Sequence, residues 1–436
     1  MSMSRRTIAS GGTFAIEALG CRLNQADAAD AAAALVAAGL KLAADGQIPD
    51  VIIVHGCAVT RRAERDDLRR IRSLKADARY SRSTIVATGC VVSCNADKLF
   101  TDAGADIVVA KKDFPRLAAI LLGTNGDANH VGDSPFPTRP PLFHTKRALL
   151  KVQDGCDMRC AYCVVPFARG PSVSRPFNDA IDAARALLGK GYKELVVTGC
   201  NLATYHDGTR GLADLASAVA DIAAEHGARV RIGSLEPGIC DDEILDALKS
   251  RRAICRFLHL PLQSMDDAVL KAMGRPYTSA YIIELLARIR SVSPLAGIGA
   301  DIITGLPGED EDAFGRTCAF VNGAGLANVH VFPYSPRQMT VAATMPGRPS
   351  RTTAKIRASR LRALAAASAM AYRRTLIGHE AKVLVEGFDQ DGLAYGWNEG
   401  HVRCRLSAPA SSIGQIVPFT PSALGDDGTL EARPGQ

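Results

Sequence analysis

The chain has 436 residues, 47% of them hydrophobic and 22% charged, and its formal net charge is +7. This length excludes a single compact domain and suits two or three, and the mild positive charge permits a nucleic-acid partner without requiring one. No segment has the apolar length of a membrane span or of a signal-peptide core. We therefore expect a cytoplasmic protein with no membrane partner.

Residues 12–125 alternate between strand-like and helix-like segments. The apolar runs TFAIEAL, VIIVHG, TIVATG and IVVA predict strands, and QADAADAAAALVAAGL and a charged segment from about Arg61 to Arg79 predict helices. This alternation predicts an α/β domain with a Rossmann-like parallel sheet. Four prolines in DANHVGDSPFPTRPPLF then predict a linker at residues 126–144, because proline interrupts both helices and central strands.

Residues 145–375 alternate again and carry six strand candidates, ALLKVQ, KELVVTG, RVRIGSL, FLHLPLQ, GIGADIIT and ANVHVFP. Helix-like segments such as DAIDAARALLGK, DEILDALKS and YIIELLARIRSV lie between them. About six βα units predict a partial (β/α)6 barrel or a doubly wound sheet, with catalytic groups at the carboxyl ends of the strands. Residues 378–436 lose the helical pattern and predict a small all-β domain.

The segment DGCDMRCAYCVVPF holds Cys156, Cys160 and Cys163 in a C-x3-C-x2-C pattern. Three neighbouring thiolates can bind three irons of a cubane cluster and leave the fourth iron open, for example to the amine and carboxylate of a methionine. A zinc site is the alternative, but zinc prefers four closed ligands and no second cysteine pair lies nearby. Twelve cysteines in a cytoplasmic chain favour metal binding over a disulfide framework.

This pattern, with Tyr162 just before its last cysteine, resembles the radical S-adenosylmethionine superfamily. Within that superfamily, Cys21 in LGCRLNQ, Cys57 in HGCAVTRRAER and Cys90 in TGCVVSC resemble the second cysteine trio of the methylthiotransferases. These cysteines follow strand candidates at separations of 36 and 33 residues, a spacing that brings three strand ends to one edge of a parallel sheet. The alternative is that each is simply a small buried residue.

The resemblance implies two [4Fe-4S] clusters, one for each trio, together with S-adenosyl-L-methionine. It also implies that Tyr162 lies near the adenine of that cofactor. One S-adenosylmethionine then gives its methyl group to a sulfur at the second cluster, and another is cleaved to yield the radical that takes a hydrogen from adenine C2. We expect the remaining cysteines to be packing residues; these are Cys94, Cys200, Cys240, Cys255, Cys318 and Cys404.

Polar residues close several strand candidates of the central part, in segments that resemble the family's TGxN, SSxEP, HxPLQS and DxIxGxPGE motifs. By that resemblance Asn201 and Glu236 contact the ribose or amino-acid part of S-adenosylmethionine, and Gly199 permits close backbone approach. Helix caps or turns are the alternative for Ser234 and Asp301. The candidate cofactor contacts are Tyr162, Gly199, Asn201, Ser234, Glu236, Gln263 and Asp301.

Three features favour an RNA partner. The helix candidate at 61–82 carries nine Lys or Arg against four acidic residues, and the one at 351–374 carries seven Lys or Arg and no acid. The tail 378–436 resembles a TRAM domain, a small β-barrel that binds tRNA in this family. A solvated helix face is the alternative for either helix. The segment HVFPYSPRQMTVAATMPG also resembles the family, and its Arg337 suits a phosphate or a carboxylate.

The sequence is therefore identified as a radical S-adenosylmethionine methylthiotransferase, and GCRLNQ, CAVT and YSPR are most similar to the MtaB type. That type converts threonylcarbamoyladenosine at position 37 of tRNA to its 2-methylthio derivative. The alternatives are the MiaB type, which acts on isopentenyladenosine, the RimO type, which acts on a ribosomal-protein aspartate, and a zinc-stabilised RNA-binding protein. The expected partners are the tRNA anticodon stem-loop, a sulfur donor and an electron donor such as flavodoxin or ferredoxin, and we expect a monomer.

Overall fold

The computed structural model describes residues 8–9, 11–124, 136 and 145–432. Three parts follow one another: an N-terminal α/β domain, a partial barrel and a C-terminal sheet. Of the predicted linker 126–144, only Phe136 belongs to the described residues, and the rest of that prediction lies outside them. No helix of the described residues is long and apolar enough to cross a membrane.

The N-terminal domain is a five-stranded parallel sheet in the order β2-β1-β3-β4-β5. Every residue of β3 and β4 is buried, because apolar side chains pack against helices on both faces of the sheet. The predicted parallel sheet is confirmed. Its elements are β1 (Thr13–Ala18), α1 (Arg22–Ala37), β2 (Lys41–Leu42), β3 (Val51–Gly56), α2 (Arg61–Ala76), β4 (Thr84–Gly89), α3 (Cys90–Thr101), β5 (Ile107–Val108) and α4 (Leu117–Leu122).

The central part is built on ten strands, of which six parallel ones form the barrel and four short ones form two antiparallel pairs. The strands are β6 (Ala148–Lys151), β7 (Gln153–Asp154), β8 (Val173–Ser174), β9 (Glu194–Thr198), β10 (His206–Asp207), β11 (Arg210–Gly211), β12 (Arg229–Ile232), β13 (Phe257–Gln263), β14 (Gly297–Thr304) and β15 (Asn328–Pro333). The helices are α5 (Val165–Arg169), α6 (Phe177–Gly189), α7 (Leu212–Glu225), α8 (Asp242–Ser250), α9 (Asp267–Ala272), α10 (Ser279–Val292), α11 (Glu311–Gly323) and α12 (Arg351–Arg374).

The six barrel strands lie side by side in chain order, β6-β9-β12-β13-β14-β15. Two isolated bridges, one of them between Ser234 and His259, join β12 to β13 and so connect the two halves. Leu258, Leu260 and Leu262 of β13 are fully buried in one continuous core with the surrounding helices. The alternate residues of that strand therefore face the barrel interior. This arrangement is the predicted partial barrel rather than a doubly wound sheet.

The C-terminal domain is a six-stranded sheet in the order β19-β16-β17-β18-β21-β20. Its strands are β16 (Ala381–Phe388), β17 (Ala394–Asn398), β18 (Arg403–Leu406), β19 (Ile416–Phe419), β20 (Ala423–Leu424) and β21 (Leu430–Glu431), which confirms the predicted all-β tail. Tyr372 of α12 and Phe257 of β13 belong to its hydrophobic core. The sheet is thus packed against the base of the barrel.

Candidate active site

One cysteine trio lies at the carboxyl edge of the N-terminal sheet. Cys21 immediately precedes α1, Cys57 follows β3 and Cys90 is the first residue of α3. A Cβ at Gly20, whose φ is 97°, would lie only 2.4 Å from the Cβ of Cys57, so a glycine there is what allows the first two loops to touch. The structure brings together the three cysteines that the strand spacing predicts at one edge.

The thiols of this trio influence one another's ionisation. Burial raises the pKa of Cys57 to about 12, and negative charge on Cys21 and Cys90 adds to the rise. Burial also raises the pKa of Cys90, against the opposing charge of Arg169. Because metal ions bind thiolates rather than thiols, loading a metal at this trio releases protons.

The other trio lies on the loop between β7 and α5. The backbone N–H of Cys156 donates to the carbonyl of Gly170 (3.1 Å), and that of Cys163 donates to the carbonyl of Cys160 (3.0 Å). Burial raises the pKa of Cys163 to about 12, and negative charge on Cys160 and Cys156 contributes. Three thiols are therefore held on one short loop at the carboxyl end of the first barrel strand.

Arg169 at the end of α5 connects the two trios. Its Nε donates to the Sγ of Cys90 (3.2 Å), and its Nη1 donates to Oδ1 of Asp154 (2.8 Å), which stands two residues before Cys156. The Arg169 side chain is 2% exposed, so its guanidinium lies between the domains rather than in solvent. A buried arginine that bonds a thiol is positioned to stabilise the thiolate form of that cysteine.

Asp27 of α1 is the centre of a buried ion network between the same two domains. Its carboxylate accepts hydrogen bonds from Lys151 (2.6 Å), Lys111 (2.7 Å) and Arg169 (2.9 Å). Burial alone would raise the pKa of Asp27, but the three cations outweigh burial and hold that pKa well below its ordinary value. Separating the domains would leave these charges unpaired, so the network fixes the position of one trio relative to the other.

Arg275 gathers two of the predicted cofactor contacts beside the barrel trio. Its Nη2 donates to both carboxylate oxygens of Glu236 (2.5 and 2.6 Å). Its Nη1 donates to the Sγ of Cys160 (3.1 Å) and to the hydroxyl of Tyr162 (3.4 Å). Tyr162, Glu236 and Cys160 are therefore all bonded to the same arginine.

Asn201 occupies the opposite side of the barrel trio. Its Nδ2 lies 4.0 Å from the Sγ of Cys156, and its Oδ1 is buried with no hydrogen-bond partner among the described residues. A buried polar atom without a partner costs free energy, which indicates that a ligand group belongs there. A methionine amine is a donor of the right kind.

The remaining predicted contacts differ in their surroundings. A Cβ at Gly199 would lie 2.8 Å from Oε1 of Gln153, so this glycine admits a neighbouring side chain. Ser234 is exposed, and Gln263 is buried with a left-handed backbone (φ 67°), a strained conformation common at functional sites. Asp301 lies inside the barrel between two histidines.

Comparison with known proteins agrees with this geometry. Residues 150–321 match the family described as the radical SAM superfamily, and residues 13–110 match the one described as uncharacterized protein family UPF0004. The chain is 32% identical over 430 residues to the threonylcarbamoyladenosine tRNA methylthiotransferase MtaB of Thermotoga maritima, covering 97% of both chains. It is also 32% identical to the tRNA-2-methylthio-N(6)-dimethylallyladenosine synthase of Novosphingobium aromaticivorans, covering 88% of this chain and 89% of the relative.

The chain belongs to the radical S-adenosylmethionine methylthiotransferase family. Among solved structures, its fold is similar to that of the radical S-adenosylmethionine methyltransferase TsrM from Kitasatospora setae, with a TM-score of 0.58, 13% identity and coverage of 77% of each chain. It is also similar to the cobalamin-dependent radical enzyme OxsB, with a TM-score of 0.54, 12% identity and coverage of 81% and 56%. These two likenesses concern the fold alone.

Methylthiotransferases of this family are radical enzymes that use [4Fe-4S] clusters and S-adenosylmethionine, and the residues present fit both groups. Each trio offers three thiols, which leaves one iron of a cubane open to a further ligand. The unpartnered Oδ1 of Asn201 beside Cys156 fits the amino-acid part of S-adenosylmethionine. The alternative of a zinc-stabilised RNA-binding protein is wrong, since the chain belongs to a family of radical enzymes.

The other cysteines differ in their surroundings. Four of them are buried in the barrel and tail, where the predicted packing role places them; they are Cys240, Cys255, Cys318 and Cys404. The thiol of Cys200 lies 3.5 Å from Oδ1 of Asp154, and Cys94 packs beside Cys90. The carboxylate partner expected for Arg337 is Glu64 of α2, at 2.7 Å.

Three residues of the site were not predicted: Arg169, Asp27 and Arg275. Asp27 and Asn24 stand three residues apart on α1 and so share one face of an alanine-rich helix. This pair of polar residues was the feature of the sequence that could have indicated Asp27. Arg275 lies in MGRPYT, where its Nε donates to the hydroxyl of Tyr277 (2.9 Å), but its carboxylate partner Glu236 lies 39 residues away in the sequence. The bonds of Arg169 to Cys90 and of Arg275 to Cys160 likewise join distant parts of the chain.

Proposed function

We propose that this protein is a tRNA methylthiotransferase that acts on N6-threonylcarbamoyladenosine at position 37 and joins a methylthio group to adenine C2. The observation that carries the proposal is the pair of cysteine trios on either side of Arg169, which bonds Cys90 and also bonds Asp154, two residues before Cys156. A relative at 32% identity over nearly the whole chain bears the name of this activity. Relatives named for dimethylallyladenosine are as similar, so the choice of nucleoside needs its own test.

The protein residues have distinct tasks in this reaction. When bound, the two clusters and S-adenosylmethionine supply the radical and the sulfur. Asn201 and Glu236 orient the cofactor beside the barrel trio, and Arg275 holds Glu236 in place while it bonds Cys160. At the N-terminal trio, Arg169 stabilises the thiolate of Cys90.

The exposed face of α2 supports an RNA partner. Arg62 and Arg69 have side chains that are 87% and 77% exposed, and both pair with the surface residue Asp66 (3.7 and 3.5 Å). Exposed pairs of this kind are weak, so the two arginines can still neutralise phosphates without reading the sequence.

In the second basic helix, α12, Arg357 supports the fold, because it pairs with Glu309 (2.7 Å) and Glu311 (3.0 Å). Other basic residues of this helix are exposed and can also contact phosphates, among them Arg351, Lys355 and Arg374. The expected sulfur donor, electron donor and monomeric state remain parts of this proposal.

Nucleoside mass spectrometry of tRNA from cells lacking this protein tests the proposal. We expect 2-methylthio-threonylcarbamoyladenosine to disappear and to return when the wild-type gene is supplied. The Cys57→Ser variant should restore nothing, whereas Cys318→Ser, which changes a packing cysteine on α11, should restore the wild-type level. A full level of the nucleoside in the deletion strain contradicts the proposal, and loss of the methylthio-isopentenyl nucleoside instead assigns the protein to the MiaB type.

A further inference from the structure

A buried arginine bonds one thiol of each cysteine trio. At the N-terminal trio this arginine is Arg169, whose Nε donates to the Sγ of Cys90 (3.2 Å). At the barrel trio it is Arg275, whose Nη1 donates to the Sγ of Cys160 (3.1 Å). The side chains of the two arginines are 2% and 3% exposed. Because a guanidinium group stays protonated in proteins, each trio has a fixed positive charge in contact with one of its thiols.

The two arginines differ in the charges around them. Arg169 pairs with two carboxylates, and two lysines pair with the same carboxylates, so its charge belongs to a network that joins two domains. Among the described residues, Arg275 has Glu236 as its one carboxylate partner, and both oxygens of that carboxylate accept from Nη2 (2.5 and 2.6 Å). The barrel trio therefore lies beside a single pair of opposite charges, and the positive member of that pair contacts the thiol.

The backbone holds Arg275 against the cysteine loop. The N–H of Ala161 donates to the carbonyl of Met273 (3.0 Å). The next residue, Gly274, has a φ of 71°, and a Cβ there would lie 3.4 Å from the carbonyl oxygen of Arg159. The two segments thus meet through main-chain atoms, so the position of the arginine does not depend on its side chain alone.

The other N–H groups of Arg275 are bonded to the barrel. Nε donates to the hydroxyl of Tyr277 (2.9 Å), and Nη2 also donates to the carbonyl of Pro261 (3.1 Å). Nη1 also donates to the hydroxyl of Tyr162 (3.4 Å). A planar guanidinium that is bonded at all three nitrogens cannot turn away without breaking several bonds. The N–H directed at Cys160 is therefore a fixed feature of the site.

A charged donor fixed in this way affects the electron affinity of a cluster at the trio. Hydrogen bonds to the sulfurs and the net charge nearby are among the factors that set the reduction potential of an iron–sulfur cluster. Gaining one electron adds negative charge to the cluster and its thiolate ligands, so the guanidinium stabilises the reduced form more than the oxidised form. The carboxylate of Glu236 acts in the opposite sense, because its negative charge repels the added electron.

We propose that Arg275 raises the reduction potential of the cluster bound by the barrel trio, and that Glu236 limits this effect as the counter-charge. The arginine thereby favours the one-electron reduction that precedes cleavage of S-adenosylmethionine. It acts through Cys160 and is a positioning residue rather than a catalytic one. This inference rests on the proposed function for the assignment of a cluster to the barrel trio, and it concerns the electron rather than the choice of nucleoside.

The test measures the reduction potential of the barrel cluster in the full-length protein reconstituted with iron and sulfide. Samples are poised anaerobically at a series of potentials with dithionite as the reductant, and the reduced cluster is followed by EPR. The signal that is lost in Cys160→Ser identifies the barrel cluster. Arg275→Gln should make its reduction about tenfold less favourable, since hydrogen bonds to charged groups have about this effect, and for one electron this is a shift of about 59 mV to lower potential.

Glu236→Gln separates an electrostatic role from a structural one. It removes the counter-charge and leaves the guanidinium beside Cys160, so the potential should rise rather than fall. If the pair only supports the shape of the cysteine loop, both variants disturb the same loop and move the potential in the same direction. Shifts of one sign in Arg275→Gln and Glu236→Gln therefore overturn the proposal, and shifts of opposite sign support it.

Arg275→Lys keeps the proposal testable if the glutamine variant does not retain iron. Lysine preserves the positive charge beside Glu236 but offers one donor point in place of a fork, so the potential should fall by less than in Arg275→Gln. Arg251→Gln is the matched control, because Arg251 pairs with Asp221 (3.2 Å) on the surface at the end of α8. The control should keep the wild-type potential, and iron content shows that each variant is loaded.

The remaining outcomes separate this inference from the proposed function. The N-terminal cluster should keep its potential in Arg275→Gln, because its own arginine is untouched. An unchanged potential of the barrel cluster in both Arg275 variants overturns the inference and leaves the methylthiotransferase proposal standing. An unchanged potential with a weaker Kd for S-adenosylmethionine also overturns it and assigns Arg275 to the cofactor. If no EPR signal of the wild type depends on Cys160, the assignment of the cluster fails, and the inference fails with it.

Discussion

Arg169 shows how one side chain can serve both halves of this site. Its five N–H groups form a rigid fork, and they bond Cys90 on one domain, Asp154 in the barrel and Asn24 and Asp27 on α1. A lysine would offer a single charged point to these partners. The arginine therefore fixes a geometry as well as a charge.

Replacement of Arg169 by glutamine should damage both stability and cluster assembly. The change leaves Asp27 and Asp154 with less compensation in a buried setting, and removing one member of a buried pair costs about 3–5 kcal/mol. We expect the free energy of unfolding in urea to fall by that amount. After reconstitution, the iron content per chain should fall toward that of a single cluster. Arg185, whose side chain is 61% exposed, pairs with Asp182 on the surface, and Arg185→Gln should change neither measurement. Equal iron contents in the two variants would show that Arg169 does not support the N-terminal trio.

The elements that could be predicted are those whose own residues show whether they are buried or exposed. β3 and β4 are buried at every position, so their apolar runs mark them without reference to the rest of the chain. The meeting of Cys21, Cys57 and Cys90 was predictable from the spacing of the strands, since parallel strands end at one edge. Their assignment to a cluster came from the family resemblance. Two-residue strands such as β2 carry no pattern of their own, and pairing with β1 alone defines them.

The parts that could not be predicted depend on long-range contacts. Arg169 and Asp27 are 142 residues apart, and no local pattern indicates that they meet. Asp301 was assigned to the cofactor by resemblance, and its partners in the structure, His259 and His330, come from the two neighbouring strands. The contact between Asp301 and S-adenosylmethionine stays a prediction. Basic residues of α12 were ambiguous because their acidic partners lie on another helix and its preceding loop.

The cysteine loop of the barrel contains a position that only glycine can occupy. Gly155 has a φ of 70°, and a Cβ there would lie 1.8 Å from the carbonyl oxygen of Pro171. Gly155→Ala should therefore move the loop and abolish assembly of the barrel cluster, measured as iron content and S-adenosylmethionine cleavage. Gly208→Ala is the matched control, because φ is 62° but nothing lies within 4 Å of the added carbon. The control should cost only about 1–2 kcal/mol of backbone strain, and similar losses of iron in both variants would contradict the steric argument.

At the scale of the whole molecule, the C-terminal sheet is bonded to the barrel through two buried arginines. Arg229 and Arg231 of β12 both pair with Glu194 of β9 (2.5 and 2.9 Å). Their remaining N–H groups donate to backbone carbonyls of the tail, at Lys382, Trp397, Asn398 and Glu399. Any RNA contact made by the tail is thus held in a fixed position relative to the barrel interior.

These ion pairs make the contact between the barrel and the C-terminal sheet sensitive to acid. Burial alone would raise the pKa of Glu194, but Arg231 and Arg229 outweigh burial and lower it below the ordinary value of 4.5. A group with a lowered pKa in the folded state binds protons more tightly when unfolded. Its stabilising contribution is therefore complete above pH 4.5 and is lost as the pH falls below that value.

Glu194→Gln removes the charge that compensates the two arginines. We expect the free energy of unfolding in urea to be about 3–5 kcal/mol lower in the variant than in wild type at pH 7. This difference between the two proteins should become steadily smaller below about pH 4.5. Glu225→Gln, at an exposed glutamate at the end of α7, should follow the wild-type curve at every pH. A gap that stays constant from pH 7 to pH 3.5 would mean that the Glu194 side chain acts through its shape and hydrogen bonds, and that its charge contributes nothing to holding the tail against the barrel.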